Sequence, residues 1–198
     1  YKQMAVRSLK KIFALSPNIR LEPVESVATG RHLAEFRQVD VEQAEATYDE
    51  LMHLAERLLH YICHNITEKF EQELTQLNRT LKVPKIPFKV FTYQEALELL
   101  HSEGFNVDYG KEIPWKEEKA ISAMFKEPFF IVDYPVAARG FYDKEDSNCL
   151  GILRDFDLIY PEGFGEAASG GEREHTYKGV MKRMQLTGEE PAKYEWYL

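Results

Sequence analysis

The sequence predicts an α+β domain in which an antiparallel sheet is flanked by helices. Short apolar or alternating segments bounded by turn residues are typical of strands joined in hairpins. A few longer stretches carry apolar residues every three or four positions, as helices do. Short strands and hairpins around a few helices give an α+β architecture. With 44% hydrophobic residues in 198 positions, the composition supplies the core of one globular domain.

The first segments predict a hairpin with a mobile tip. Residues 12–15 form an apolar run that the Ser-Pro-Asn at 16–18 is expected to stop in a turn. A second short strand is predicted at 19–22. Residues 23–30 have no helical or alternating pattern, and 33–42 resume with apolar residues near every second place.

The longest predicted helix begins at Asp49. Its apolar residues recur at spacings of three and four and are predicted to form a core stripe: Leu51, Leu54, Leu58, Ile62, Ile66, Phe70, Leu74 and Leu77. Three histidines lie off the stripe and are interpreted as surface residues rather than ligands: His53, His60 and His64. Thr92 followed by Glu95 predicts a capping box that opens a helix over 93–100, which Gly104 closes.

The second half of the chain predicts further strands and one closing helix. Strands are expected at 88–91, 128–132 and 156–160, and a helix at 177–186. The small-residue run at 165–171 fits either a plain glycine-rich turn or a place where a ligand approaches the backbone closely.

Composition excludes several classes of function. The net charge of -8 disfavours broad, charge-driven binding to a polyanion, although a local basic patch remains open. No apolar stretch has the ~20 residues of a membrane helix. Cys63 and Cys149 have no metal-ligand spacing, so we expect two packing thiols in a reducing, cytoplasmic setting. Both ends of the chain are interpreted as cut.

Two groups of residues have chemistry that suits a nucleotide. Arg20 and Glu22 share one face of an extended arm, and Arg31, His32 and Phe36 lie on the other arm of the hairpin. Such residues could clamp a polyphosphate and offer an aromatic face to a base. A salt-bridged surface hairpin would have the same composition, so these residues alone leave both interpretations open.

The second group surrounds the small-residue run. Asp157 and Glu166 are carboxylates on predicted strands, of the kind that hold magnesium. The run lacks the lysine of a GxxxxGK[ST] phosphate loop, and no GxSxG or HExxH pattern occurs. These absences remove support for the corresponding enzyme classes.

Taken together, these residues resemble the catalytic core of class II aminoacyl-tRNA synthetases in the aspartate and asparagine branch. The family's motif 2, fRxE then a loop then RHxxEF, is similar to residues 19–22 and 31–36. Its later pattern, DL then GE then a small-residue run ending in RE, is similar to Asp157-Leu158, Gly165-Glu166 and Ser169-Gly170-Gly171-Glu172-Arg173-Glu174. The resemblance covers nearly the whole chain.

The resemblance implies an antiparallel active-site sheet that binds ATP with Mg²⁺ and activates an amino acid as an adenylate. Arg20 would be the catalytic residue, holding the α-phosphate in the transition state. Arg31 and His32 would reach the outer phosphates, Phe36 would stack on adenine, and Glu22 would contact the end of ATP. Glu166, helped by Asp157 and Ser169, would hold the metal, and Glu166 and Ser169 would also contact ATP.

The resemblance also implies the amino acid. Lys2 and Arg173 can neutralise a side-chain carboxylate, whereas Asp40 and Gln38 meet an ammonium group, so the pocket suits aspartate. Two other segments, residues 157–165 with the Glu166 that follows and residues 194–197, look like the asparagine branch. An aspartate pocket on that frame resembles the archaeal-type asparagine synthetase.

The main functional prediction is therefore an AMP-forming ligase that makes aspartyl-adenylate and lets ammonia convert it to asparagine. One alternative is the catalytic domain of an asparaginyl- or aspartyl-tRNA ligase, with tRNA as the acceptor. A non-catalytic paralogue is the second alternative. Residues 1–198 are interpreted as one catalytic domain of a homodimer, with motif 1 upstream and motif 3 downstream.

Overall fold

The computed structural model describes residues 2–21 and 33–198. The chain divides into two compact units, Tyr1–Ala46 and Thr47–Leu198, which are described separately below. Within the described ranges, no helix is both long and apolar enough to cross a membrane.

The first unit contains a short helix and a hairpin. Its described elements are α1 (Lys2–Ala5), β1 (Lys11–Ile19) and β2 (Glu35–Gln43). The two strands are antiparallel, with Lys11 opposite Gln43 and Ile19 opposite Glu35. Alternation along the strands places Phe36, Gln38 and Asp40 on one face. The other face carries exposed apolar residues: Phe13, Leu15, Ile19, Val39 and Val41.

The predicted turn at 16–18 and the separate strand after it are wrong, because β1 runs without interruption through Pro17. The amide of Arg20 donates to the carbonyl oxygen of Ala34, and Lys10 accepts from the amide of Ala44, both at 2.9 Å. Even-numbered residues of β1 therefore direct their backbone groups towards β2. The nitrogen of Pro17 faces away from β2, so its missing N–H costs no hydrogen bond of the hairpin.

The second unit is a four-stranded sheet between helices. Its elements are α2 (Tyr48–Lys69), α3 (Glu71–Gln76), β3 (Lys89–Thr92), α4 (Tyr93–Ser102), α5 (Trp115–Ala123), β4 (Phe129–Val132), β5 (Asp155–Tyr160), β6 (Gly165–Gly171), α6 (Tyr177–Thr187) and a 3₁₀ helix (Pro191–Tyr194). The strand order is β3-β4-β5-β6. Three strands are antiparallel as predicted, but β3 and β4 are parallel, because α4 and α5 form a crossover that returns the chain in the same direction.

Each face of this sheet packs against its own helices. Phe129, Ile131 and Ile159 contact a cluster that includes residues of α4 and α5. Phe130, Val132, Phe156 and Leu158 face the other way and pack with Met52 of α2 and with Phe88. The period of two in the strands therefore builds two hydrophobic layers and confirms the α+β fold.

The predicted core stripe on α2 is only partly buried. Four of its residues are exposed: Leu58, Ile62, Phe70 and Leu77. The buried line is instead formed by Met52, Glu56 and Cys63, and Glu56 accepts a hydrogen bond from the Phe88 amide at 3.0 Å. The helix also ends earlier than predicted, since Phe70 leaves the helical conformation at φ -128° and ψ 35°.

Two other predictions need correction. The run at 165–171 is the strand β6 and not a turn. Its glycines serve close packing, since a Cβ on Gly171 would lie 2.9 Å from the Arg154 carbonyl oxygen. Of the two cysteines, only Cys63 is a packing thiol; Cys149 is exposed. Of the three histidines predicted at the surface, His53 and His64 are exposed, whereas His60 is half-buried and its Nδ1 lies 2.8 Å from the Pro84 carbonyl oxygen.

Candidate functional site

The predicted site residues fall in both units. The first unit holds Lys2, Arg20, Phe36, Gln38 and Asp40, and the second holds Asp157, Glu166, Ser169 and Arg173. Glu22, Arg31 and His32 lie outside the described residues. Because Arg20 and Glu166 belong to different units, their meeting over one nucleotide stays a prediction.

In the first unit, Lys2 and Asp40 form an ion pair. Ser16 donates a hydrogen bond to the same carboxylate oxygen of Asp40 at 2.6 Å. Burial opposes ionisation, but the hydrogen bonds from Lys2 and Ser16 and the charge of Lys2 together lower the pKa of Asp40. The first unit thus places an ionised carboxylate beside an ammonium group, and the role of this pair in binding an amino acid stays a prediction.

Arg20 and Phe36 are also brought together. The Arg20 guanidinium carbon lies 5.2 Å from the centre of the Phe36 ring. Phe36 pairs in register with Asn18, whose side-chain amide donates to Gln38 at 3.5 Å. An arginine beside an aromatic face on a hairpin offers one group for a phosphate and one for a base.

In the second unit, Arg139 connects the carboxylates around Asp157. Its Nη2 donates to Asp157 Oδ2 at 2.5 Å, its Nε to Asp155 Oδ2 at 3.2 Å, and its Nη1 to Glu112 Oε1 at 2.6 Å. The guanidinium carbon also lies 3.8 Å from the centre of the Tyr134 ring. Sequence reasoning missed Arg139. Its link to Asp157 spans 18 residues of sequence, so no local pattern indicated it.

Burial and charge compete in this cluster. Burial raises the pKa of Asp155 to about 7, against the opposing charge of Arg139. Burial also acts to lower the pKa of Arg139, but the negative charge of Asp157 and its other acidic neighbours raises it above its ordinary value. The pKa of Tyr134 is raised by burial and by the charge of Asp157. Arg139 is therefore a permanent cation among carboxylates.

The predicted metal ligands are oxygen donors of the kind that Mg²⁺ prefers, and their joint binding of the ion stays a prediction. Asp157 and Ser169 are opposite each other in the ladder, and Glu166 is opposite Ile159, so register places them along one part of the β5–β6 pair. Asp157 Oδ1 is buried and accepts no hydrogen bond from the residues the structure describes. Among those residues, no three His, Cys, Asp or Glu side chains form a metal site by themselves. Mg²⁺ commonly uses one or two carboxylates and completes its shell with phosphates and water.

Arg173, the predicted substrate cation, is held in place by two neighbours. It forms an ion pair with Asp143, and its guanidinium carbon lies 4.7 Å from the centre of the Tyr142 ring. Asp143 is buried, and burial raises its pKa while the charge of Arg173 opposes the change. Asp143 was not predicted, because its link to Arg173 spans 30 residues of sequence.

Comparison with known proteins defines the class of this chain. All of residues 1–198 match the family described as tRNA synthetases class II (D, K and N). The chain belongs to this family, and the fold matches those of its solved members.

The individual relatives are ligases for asparagine or aspartate, which is one branch of this family. The chain is 34% identical over 201 residues to the asparagine–tRNA ligase of Pyrococcus furiosus, covering 100% of this chain and 46% of that protein. It is 37% identical over 199 residues to the aspartate–tRNA(Asp/Asn) ligase of Sulfurisphaera tokodaii, covering 100% of this chain and 45% of that one. The crystal structure of asparaginyl-tRNA synthetase from Pyrococcus horikoshii complexed with asparaginyl-adenylate superposes with a TM-score of 0.89 at 32% identity, over 98% of this chain and 45% of that one. The chain thus spans about half the length of these relatives.

Proposed function

We propose that the protein containing this chain is an aminoacyl-tRNA ligase that activates aspartate with ATP and transfers it to tRNA. The observation that carries the proposal is the family match over residues 1–198, together with the hairpin face that holds Arg20, Phe36 and Asp40. Relatives that share this whole chain are named as ligases for asparagine or aspartate.

In the first step, a carboxylate oxygen of the amino acid attacks the α-phosphorus of ATP and pyrophosphate leaves. Negative charge grows on the α-phosphate oxygens during this displacement, so the Arg20 guanidinium stabilises the transition state more than the ground state. Phe36 stacks on the adenine, while Arg31, His32 and Glu22 contact the rest of ATP. In the second step, a ribose hydroxyl of tRNA attacks the acyl carbon, and AMP leaves.

Aspartate is the proposed amino acid because of the charges that face it. Lys2 and Arg173 supply cations for the side-chain carboxylate, and Asp40 and Gln38 supply acceptors for the ammonium group. The low pKa of Asp40 keeps that acceptor ionised. Asparagine carries no side-chain charge, so it gains less from the two cations.

The metal in this proposal is Mg²⁺, held by Asp157 and Glu166 with the Ser169 hydroxyl. When bound, it neutralises charge on the phosphates. We also propose that the complete protein works as a homodimer in the cytoplasm.

tRNA replaces ammonia as the proposed acceptor. The comparisons favour the tRNA-ligase alternative, and they give no support to asparagine synthetase. The two reactions share the adenylate step, so only the acceptor separates them.

The test uses the full-length protein with ATP, Mg²⁺ and either aspartate or asparagine. We expect pyrophosphate exchange that is faster with aspartate, followed by aminoacyl-tRNA when tRNA is added. Asparagine and AMP formed from ammonium without tRNA would replace this proposal with the synthetase. Absence of exchange with either amino acid would favour a non-catalytic paralogue.

A further inference from the structure

The Asp157 carboxylate has two oxygens in very different surroundings. Oδ2 accepts the 2.5 Å hydrogen bond from Arg139, whereas Oδ1 is buried and has no donor at ordinary hydrogen-bond geometry among the described residues. The Tyr134 hydroxyl also interacts with this carboxylate. A buried acceptor without a donor costs free energy unless another group occupies it. Such an oxygen is suited to a hard cation.

Arg139 itself is fixed from several sides. Glu112 and Asp155 accept from its other nitrogens, and the Tyr134 ring covers its face. Its backbone is fixed as well, because the buried Arg183 donates to the carbonyl oxygens of Val136 and Gly140 at 3.0 and 2.8 Å. The guanidinium therefore has little freedom to turn, and neither has the carboxylate that it holds.

The Asp157 carboxylate lies on the same face of the sheet as a predicted metal ligand. Asp157 is directly opposite Ser169, so their side chains leave the sheet on the same face. Because Arg139 occupies Oδ2 of Asp157, Oδ1 is the oxygen of this carboxylate that is left for a metal ion. Partners of metal ligands commonly determine ligand orientation in this way.

We propose that Arg139 is a positioning residue that orients Asp157 for the Mg²⁺ bound with ATP. The inference rests on the proposed function and extends it to a residue that does not itself contact substrate. Arginine suits the role because its planar fork bonds several carboxylates at fixed angles, whereas lysine is a point charge. The change Arg139→Lys therefore keeps the charge and removes the fork.

The experiment measures binding of Mn²⁺, as a probe for Mg²⁺, to the full-length protein with a non-hydrolysable ATP analogue. Free Mn²⁺ is counted by electron paramagnetic resonance. We expect Arg139→Lys to weaken Mn²⁺ binding by about 10-fold or more. Binding of the analogue in the absence of metal should be unchanged. The Mg²⁺ concentration for half-maximal pyrophosphate exchange should rise in parallel.

Arg154→Lys is the matched control. Arg154 bonds Glu172 and Asp146 at 2.7 and 3.0 Å and lies 4.6 Å from the centre of the Tyr48 ring, so it has the same chemistry without a hydrogen bond to Asp157. Its Mn²⁺ affinity should match that of the wild type. Equal Mn²⁺ affinity in Arg139→Lys, or an equal loss in both variants, would overturn the inference.

A second variant covers the case in which Arg139→Lys fails to fold. Glu112→Gln removes the charge of the outer, half-exposed partner of the guanidinium, which weakens that anchor and leaves the Asp157 contact in place. We expect a smaller loss of Mn²⁺ affinity in the same direction, and no loss would count against the role. If the wild-type protein binds neither Mn²⁺ nor nucleotide, the proposed function fails instead, so the two failures are distinguishable.

Discussion

Arg20 is the residue on which the proposed chemistry depends most. The change Arg20→Ala removes a cation from the α-phosphate when charge develops there, so we expect kcat for pyrophosphate exchange to fall by about 100-fold or more. Arg37→Ala is the control. Arg37 lies on the same hairpin and pairs with Pro17, but its side chain is on the face of β2 that does not carry Phe36 and Asp40. Unchanged turnover in Arg20→Ala would refute the role of this side chain.

Asp133 gives a prediction about pH. Burial raises its pKa, as do the charges of Asp146 and Asp49, against the opposing charge of Arg154 and a hydrogen bond from Tyr48. The folded state therefore binds a proton more tightly than the unfolded state. Its contribution to stability is complete below the unfolded pKa of 3.8 and is lost as pH rises through the folded pKa.

The change Asp133→Asn removes this titration and keeps a side chain that tolerates the left-handed backbone, φ 62°, at this position. We expect the variant to be more stable than the wild type at pH 7 by about 1 kcal/mol or less. The difference should vanish near pH 3, where the wild-type carboxyl group is neutral. Urea unfolding at both pH values measures it, and a difference that is independent of pH would contradict this account.

At the scale of elements, α4 depends on its first turn. The Glu95 amide donates to Thr92 Oγ1 at 3.2 Å, and the Thr92 amide donates to Glu95 at 2.7 Å, which confirms the predicted capping box. Thr92→Ala should lower the free energy of unfolding by about 1 kcal/mol. Thr75→Ala, at an exposed site within α3, should change it by less than about 0.5 kcal/mol. Equal losses in denaturant unfolding would show that the cap has no special value.

The elements that could be predicted were those with local signals. The capping residues predicted the start of α4, and runs of β-branched and aromatic residues predicted β4 and β5. By contrast, α5 was missed because it has no side-chain cap and uses a polar residue on its buried face. Ser122 donates to the Tyr160 carbonyl oxygen at 2.5 Å and accepts from the amides of Gly163 and Gly165. A helix whose contacts are polar lacks the apolar stripe that reveals helices in sequence.

The residues of the candidate site also divide into those with a local sequence signal and those without one. Arg20 and Phe36 were found because motif 2 is continuous along a hairpin. Arg139 and Asp143 were not, because their partners lie 16 to 30 residues away in sequence and only folding brings them together. Ion pairs between distant segments leave no periodic pattern, so sequence alone does not predict them.

At the scale of the whole molecule, the hydrophobic core lies in one unit. All buried apolar residues among those described, from Met52 to Met184, belong to Thr47–Leu198. We therefore expect a polypeptide of residues 47–198 to unfold cooperatively, as seen by circular dichroism during thermal denaturation. A broad, non-cooperative transition would show that this core requires residues 1–46.

The hairpin of the first unit has a consequence for handling the protein. Phe13 and Leu15 stand opposite Val41 and Val39 on a face that water reaches, and Phe13 is 75% exposed. Neighbouring exposed hydrophobic side chains on a strand pair form a surface patch that favours association between molecules. We therefore expect a polypeptide of residues 1–198 to aggregate as it is concentrated. The changes Phe13→Thr and Leu15→Thr should preserve the strand and raise the solubility of the protein.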